Sequence, residues 1–490
     1  MVFQNIEILG EYKMKQQTVT RDFENYCEEI VKKYDIPGFA VGLAKNGDSF
    51  YEKGYGYRNV KNELPLSSDT VFGIGSVTKS FTCVAILQLQ EAGKLSVHDP
   101  VVKYLPEYKT PNEVYAKETT IHHFMTHTAG LPPLPSLYGA MKKTMANDPK
   151  IENENTENQS KENPFDKIEA IDTYEQLMEF IGKQSFSLLG APGSEFSYSN
   201  DAFALLGCII ERVSGIPYEQ YMKEYVLEPA GMKHTVFHLE ELSNHDDVAV
   251  LYNSYQKENK TVVFESNNPW DAPAMRSSGF LKSTINDMLK YTEIFRNNGK
   301  VGNVQILSPG SVELMTTPYI ECEKGRYYGY GLMITPDYFG YKLVEHGGAI
   351  KGVAAQMNII PKLGLTGVSF TNLGGVPSTK LLFSAFADYL GKGIHESHIT
   401  LKEIELSQEE MNEYLGTFVS GEGMKLDIKL EDGELQFVSA ELPPMSMKPL
   451  GNDIFSIYFR ETTTTVRFIR NSDGKIHRIA FGFRQIQKVE

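Results

Sequence analysis

Ser76 and Lys79, three residues apart in Phe72-Gly-Ile-Gly-Ser-Val-Thr-Lys-Ser-Phe-Thr, are the first pair in this chain able to do covalent chemistry. On a helix, residues three apart share a face. A serine hydroxyl is weakly nucleophilic at neutral pH and needs a nearby base or positive field. A helix N-terminus supplies part of that field. Burial lowers a lysine's pKa because desolvation disfavours its charged form, so Lys79 could take the serine proton. Ser-x-x-Lys also arises by chance, and serine is an ordinary helix cap, so the pair alone does not identify an enzyme.

Two further segments carry candidate groups. Pro192-Gly-Ser-Glu-Phe-Ser-Tyr-Ser-Asn-Asp places Tyr198 and Asn200 about a turn, where both can point into one cleft. A tyrosine beside an ammonium is expected to ionise below its usual pKa of about 10, which would supply a general base. Asn200 could orient the lysine or a substrate amide. A loop tyrosine and a capping turn explain the same residues without chemistry. Tyr341-Lys-Leu-Val-Glu-His-Gly-Gly-Ala-Ile-Lys-Gly-Val reads as strand, glycine turn, strand. Glycines let a substrate backbone approach closely. A backbone N–H there could join that of Ser76 around an oxyanion. Without such a role, His346 is a half-exposed turn histidine. A metal site is the rival chemistry: His123 and His127 stand at i, i+4 in a segment that looks helical, but no His-Glu-x-x-His arrangement contains them.

The elements that must position these groups are legible. Phe23, Tyr26, Ile30 and Val31 share a helical face that Pro37-Gly38 ends. Two apolar runs flank Lys45-Asn-Gly-Asp, a hairpin signal. Gly75 to Glu91 is a strongly apolar helix stopped by Gly93. Further helices are expected at Ile121 to Thr126 and at Ala202 to Val213, the latter with Asp201 as N-cap. Asn147 to Pro164 holds one large apolar residue, Ile151, and reads as a mobile acidic insertion. From about 405 to 490, alternating apolar runs separated by Asp432-Gly433 and Asp473-Gly474 point to a small antiparallel barrel or sandwich.

The order Ser76-x-x-Lys79, Tyr198-x-Asn200, His346-x-Gly348 resembles that of the penicillin-recognising serine hydrolases, in their class C β-lactamase, D-peptidase and esterase group. Thr120-Ile-His-His-Phe-Met-Thr-His-Thr-Ala-Gly-Leu-Pro, Leu227-Glu-Pro-Ala-Gly-Met and Tyr328-Gly-Tyr-Gly-Leu-Met are similar to other segments of that group. The resemblance implies an α/β (α+β) fold: a β-lactamase/transpeptidase-like antiparallel sheet sandwiched by helices, beside an all-helical lobe. It implies a Ser76 acyl-enzyme, acid and base work shared by Lys79 and Tyr198, and an oxyanion held by the N–H groups of Ser76 and Ala349. Asn200, His346, Gly347 and Gly348 would line the substrate side. Penicillin-active members usually have Lys-Thr-Gly where this chain has His346-Gly347-Gly348. A histidine is only partly charged at pH 7, so a carboxylate anchor is weaker, and D-aminopeptidase-like activity is expected ahead of β-lactamase or DD-carboxypeptidase activity, with esterase as the alternative. The last unit resembles a lipocalin-like domain, which either shapes the cleft or serves packing and homo-oligomer formation. The expected organisation is a polar leader at 1–21, a hydrolase domain at 22–400 containing the insertion at 147–164, and the β domain at 405–490.

Composition narrows the partners. The 490 residues include 48 basic and 63 acidic ones, for a net charge of −15, with no basic run. Nucleic acid is not an expected partner, since phosphate neutralisation needs clustered Lys and Arg. The 4 cysteines show no paired spacing. No export signal or membrane span is read, which makes the cytoplasm the expected location. The expected ligand is a small molecule or short peptide, and no metal or organic cofactor is called for. If the groups do not react, the chain is a silent binding module.

Overall fold

The computed structural model describes residues 19–149, 164–257, 260–439 and 442–489. Most of the leader expected at 1–21 and of the insertion expected at 147–164 lies outside these residues.

Alternation along strand β1 (Gly38–Lys45) separates two cores. Phe39, Val41 and Leu43 pack on one side with Phe23 and Ile30 of helix α1 (Arg21–Lys33). Ala40 and Ala44 belong to the core on the other side. Successive side chains of a strand point to opposite faces, so a strand buried on both sides must be apolar throughout. β1 sits inside a nine-stranded antiparallel sheet. Its central order is β3 (Met333–Tyr338), β4 (Tyr341–Ile350), β5 (Val353–Ile360), β6 (Leu365–Thr371), β1 and β2 (Asp48–Asn59). One face carries α1 and a C-terminal helix, Ser378–Tyr389. The other carries Ile285–Arg296.

Beyond that second face the helical lobe is built around α2 (Thr78–Glu91), whose residues are buried on nearly every side. It packs against α3 (Asn200–Ser214). Ser199, not Asp201, caps α3 by accepting from the Ala202 N–H. Asp201 instead turns inward and accepts from the Ser136 hydroxyl; burial pushes its carboxyl up to about 7.

A second nine-stranded antiparallel sheet follows Gly416. Its two edge strands, Leu442–Ser446 and Lys448–Gly451, are consecutive in the chain. The sheet must therefore curl until its edges meet, which leaves a nearly closed barrel. Its interior is filled by side chains, among them Phe418, Phe437, Phe455 and Phe468. A filled interior makes this barrel a solid body rather than a ligand cup.

Candidate active site

Ser76 lies in a single 3-10 turn, Gly75–Val77, that runs directly into α2. Two glycines let β4 press against it. Gly75 has φ +50, and a Cβ there would lie 2.6 Å from the Ala349 backbone nitrogen. A Cβ on Gly348 would lie 2.0 Å from the Ile74 carbonyl oxygen. Backbone thus meets backbone, and the Gly347-Gly348-Ala349 stretch runs beside Ser76. β4 continues straight through the two glycines, pairing Gly347 with Gln356 and Ala349 with Ala354. The chain turns only after Ile350, so the turn expected at the glycines is displaced to Lys351-Gly352.

Lys79 is fully buried one turn after Ser76. Its Nζ is 3.3 Å from Ser76 Oγ. It donates to Asn200 Oδ1 at 2.9 Å and to the Ser278 carbonyl at 2.5 Å. The Tyr198 ring lies 4.6 Å from this nitrogen. Burial holds the amine well below the ordinary lysine pKa; the charge of Arg484 adds to this, and Glu422 opposes it. None of its hydrogen-bond partners is a carboxylate, so the desolvation of a charge is offset only weakly.

Tyr198 is buried too, and its pKa moves the other way from the expectation. Burial pushes the phenol up, against smaller opposing effects of Ser76 and Arg484. The hydroxyl makes no full hydrogen bond but is close enough to Ser76 to feel it. Tyr198 is therefore a neutral phenol at rest, not a standing phenolate.

His346 is neither half exposed nor partly charged. It is 1% exposed. Its Nε2 is 3.0 Å from the Tyr328 hydroxyl, and its Nδ1 is 2.6 Å from the Gly347 carbonyl. Burial first of all drives its pKa down to about 3. It carries no charge at neutral pH and cannot pair a carboxylate as a cation. The metal geometry suggested by His123 and His127 does not form either. The helix ends at Met125, and His127 follows it with φ +57. His127 faces Tyr328 and Ser199, while His123 Nδ1 accepts from the Thr120 N–H at 3.1 Å.

The barrel contributes what the sequence did not disclose. The tip between strands β7 (Ile476–Phe481) and β8 (Arg484–Val489) closes over Tyr198. The Phe483 carbonyl accepts from the Tyr198 N–H at 2.8 Å. The Arg484 guanidinium lies 4.7 Å from the Tyr198 ring, and its Nε donates to Glu422 at 2.9 Å. Gln485 donates to the Phe196 carbonyl at 3.1 Å. Short turns carry no chemical signature of their own, so Arg484 at this tip and Glu422 in the turn between Val419 and Lys425 were invisible in the sequence. Ser278 was equally silent because it acts through its backbone, and Tyr328 stood in a family-like segment without a role of its own.

A serine beside a buried amine, with the backbone of a strand pressed against its helix start, can support acyl transfer. A family profile described as beta-lactamase matches residues 23–383, which is most of the chain. The protein belongs to the beta-lactamase family, whose members are generally serine hydrolases. Among curated relatives, protein flp of Staphylococcus aureus strain MW2 is 31% identical over 271 residues, 55% of this chain and 47% of that protein. The chain thus spans about half the length of that relative. The putative penicillin-binding protein PbpX of Bacillus subtilis strain 168 is 27% identical over 332 residues, 66% of this chain and 68% of that one. The octameric penicillin-binding protein homologue of Pyrococcus abyssi has a TM-score of 0.67 and 28% identity, covering 95% of this chain and 99% of its own. SurE, solved with D-Leu, shares the fold at a TM-score of 0.63 and 19% identity, covering 96% of this chain and 99% of its own.

Proposed function

We propose that the protein hydrolyses short peptides, amides or esters through a Ser76 acyl-enzyme, with peptides containing a D-residue as the first substrate class. One observation carries the reading: a buried Lys79 amine, with no carboxylate partner, lies 3.3 Å from the Ser76 hydroxyl. In its neutral form Lys79 takes the hydroxyl proton as Ser76 Oγ bonds to the substrate carbonyl carbon. The N–H groups of Ser76 and Ala349 hold the resulting oxyanion. Tyr198, a neutral phenol beside Ser76, then gives its proton to the leaving amine or alkoxide and recovers one from Lys79. The acyl-enzyme is released by water along the reverse route. Asn200 keeps Lys79 aimed at Ser76.

The charge pattern supports a small substrate. His346 brings no positive charge, so a β-lactam carboxylate lacks its usual partner there. Arg484 and Glu422 present one charge of each sign beside Tyr198. Paired to each other, they leave no free charge to anchor a charged tail, which suits a short substrate. D-residue peptides come first, in keeping with the D-leucine in the SurE structure, whose likeness here is one of fold. Assembly into a homo-oligomer belongs to the proposal, since the Pyrococcus homologue is octameric. So does a cytoplasmic setting, with which four free cysteines agree. Among the described residues no helix is long and apolar enough to cross a membrane.

A side-by-side assay tests the reading: D- and L-amino acid p-nitroanilides, a short-chain p-nitrophenyl ester and nitrocefin, each with the wild type and with Ser76→Ala. Serine-dependent cleavage of D-anilides is the expected result. Cleavage of the ester alone makes the protein an esterase, and equal rates for wild type and variant throughout leave a binding role.

A further inference from the structure

His127, Tyr328 and His346 touch one another beneath the site, and none has a step in the reaction above. Two backbone groups fix where their protons are. The Ser199 N–H can only donate, and it lies 3.0 Å from His127 Nδ1. That nitrogen must therefore carry the lone pair, which puts the proton of a neutral His127 on Nε2. The Gly347 carbonyl can only accept, and it lies 2.6 Å from His346 Nδ1. That nitrogen must carry the proton, which leaves the lone pair of a neutral His346 on Nε2. Between the two Nε2 atoms stands the Tyr328 hydroxyl, 3.2 Å from His127 and 3.0 Å from His346. It accepts from the first and donates to the second, and every buried polar atom in the row is satisfied.

We propose that His127 and Tyr328 are positioning residues, joined to His346 in a one-way, uncharged hydrogen-bond chain. The chain holds the Gly347 peptide beside the oxyanion groups and gives Tyr198 a neutral aromatic seat. The His127 ring lies 4.1 Å from the Tyr198 ring, which the Lys79 amine and the Arg484 guanidinium also approach. A second proton on His346 would set two N–H donors against Tyr328 and leave the phenol hydrogen without an acceptor, and a second proton on His127 would set Nδ1–H against the Ser199 N–H. The fixed charges nearest the histidines also repel a proton: Arg484 for His127 and Arg326 for His346. The nearby carboxylate of Glu345 is paired to Arg326. The catalytic consequence rests on the Ser76 reading; the chain itself does not.

Nuclear magnetic resonance of the full chain labelled with 15N-histidine tests it without any substrate, His127→Asn and His346→Asn serving to assign the signals. His127 is expected as the Nε2–H tautomer and His346 as the Nδ1–H tautomer, both unchanged across roughly pH 5 to 8. Tyr328→Phe is expected to move the His346 Nε2 signal to that of an unbonded nitrogen. Like tautomers, or titration of either ring in that range, would overturn the chain. Labelling by a fluorophosphonate then reads the consequence: Tyr328→Phe is expected to slow it on the order of tenfold, as small misplacements do, while the variant still folds cooperatively with a melting temperature lowered by the two buried nitrogens it leaves unpaired. Labelling at the wild-type rate would overturn the positioning role. Absence of labelling in the wild type would count against Ser76 as nucleophile, while the tautomers would still decide the chain.

Discussion

The chemistry rests on one amine kept neutral by its surroundings. Burial, with the charge of Arg484 adding to it, keeps the Lys79 proton weakly held despite the acceptors on three sides of the amine. In the proposed reaction the form that activates Ser76 is the deprotonated one. Acylation is therefore expected to rise with pH as Lys79 loses its proton and to level off well below the ordinary lysine value of about 10. Removing the Arg484 charge stabilises the ammonium, so Arg484→Ala is expected to move this rise to higher pH. A pre-steady-state burst measured against pH checks both, and a rise that stays put in Arg484→Ala contradicts the assigned cause. Ser76, Lys79, Tyr198 and Asn200 could be read from type and spacing because a turn of helix and a capping turn translate local sequence directly into proximity. The state of Tyr198 and of His346 could not. Both depend on burial by residues more than a hundred positions away, such as Arg484 for Tyr198.

Elements set the distances within which those groups work. Gly348 is expected to be intolerant of any side chain, because a Cβ would meet the Ile74 carbonyl at 2.0 Å. Gly348→Ala should push β4 from the Ser76 turn, costing about 1–3 kcal/mol of stability, as overpacking does, and most of the activity. A melting curve with normal activity would contradict this. The segment read as a mobile insertion begins with a fixed residue. Asp148 accepts from Trp270 Nε1 at 3.0 Å and from Asn268 at 2.9 Å, and pairs with the buried Lys351 next to β4. Asp148→Ala leaves those donors unpaired and is expected to cost about 1–3 kcal/mol, readable by urea denaturation; an unchanged midpoint would show that water replaces the carboxylate. The main strands and helices were legible because their apolar periods are strong. The start of α3 was misplaced by one cap, since Ser199 and Asp201 are equally good capping types and only Ser136 draws Asp201 inward.

At the scale of the molecule, a filled barrel delivers one hairpin tip to the cleft. Cavities of about 310 Å³ and 700 Å³ open elsewhere, beside Arg212 and beside Lys290, and Ser76 lines neither. Phe483 occupies the left-handed region at φ +65 and packs against the Tyr198 cluster. Glycine adopts that conformation freely, so Phe483→Gly is expected to keep the backbone contact while removing the wedge. It should raise the rate on longer acyl groups relative to short ones; an unchanged ratio would show that the tip does not limit substrate size. The barrel was readable from its alternating strands, but its docking was not, because no period in a sequence says which loop meets which cleft. The central claim is that Ser76 becomes covalently acylated during turnover. Intact-mass analysis of the protein quenched while hydrolysing a short acyl ester tests it most directly. A mass gain equal to the acyl group, mapped to the peptide containing Ser76 and absent in Ser76→Ala, is the expected result. Turnover that persists in Ser76→Ala without any adduct would contradict it.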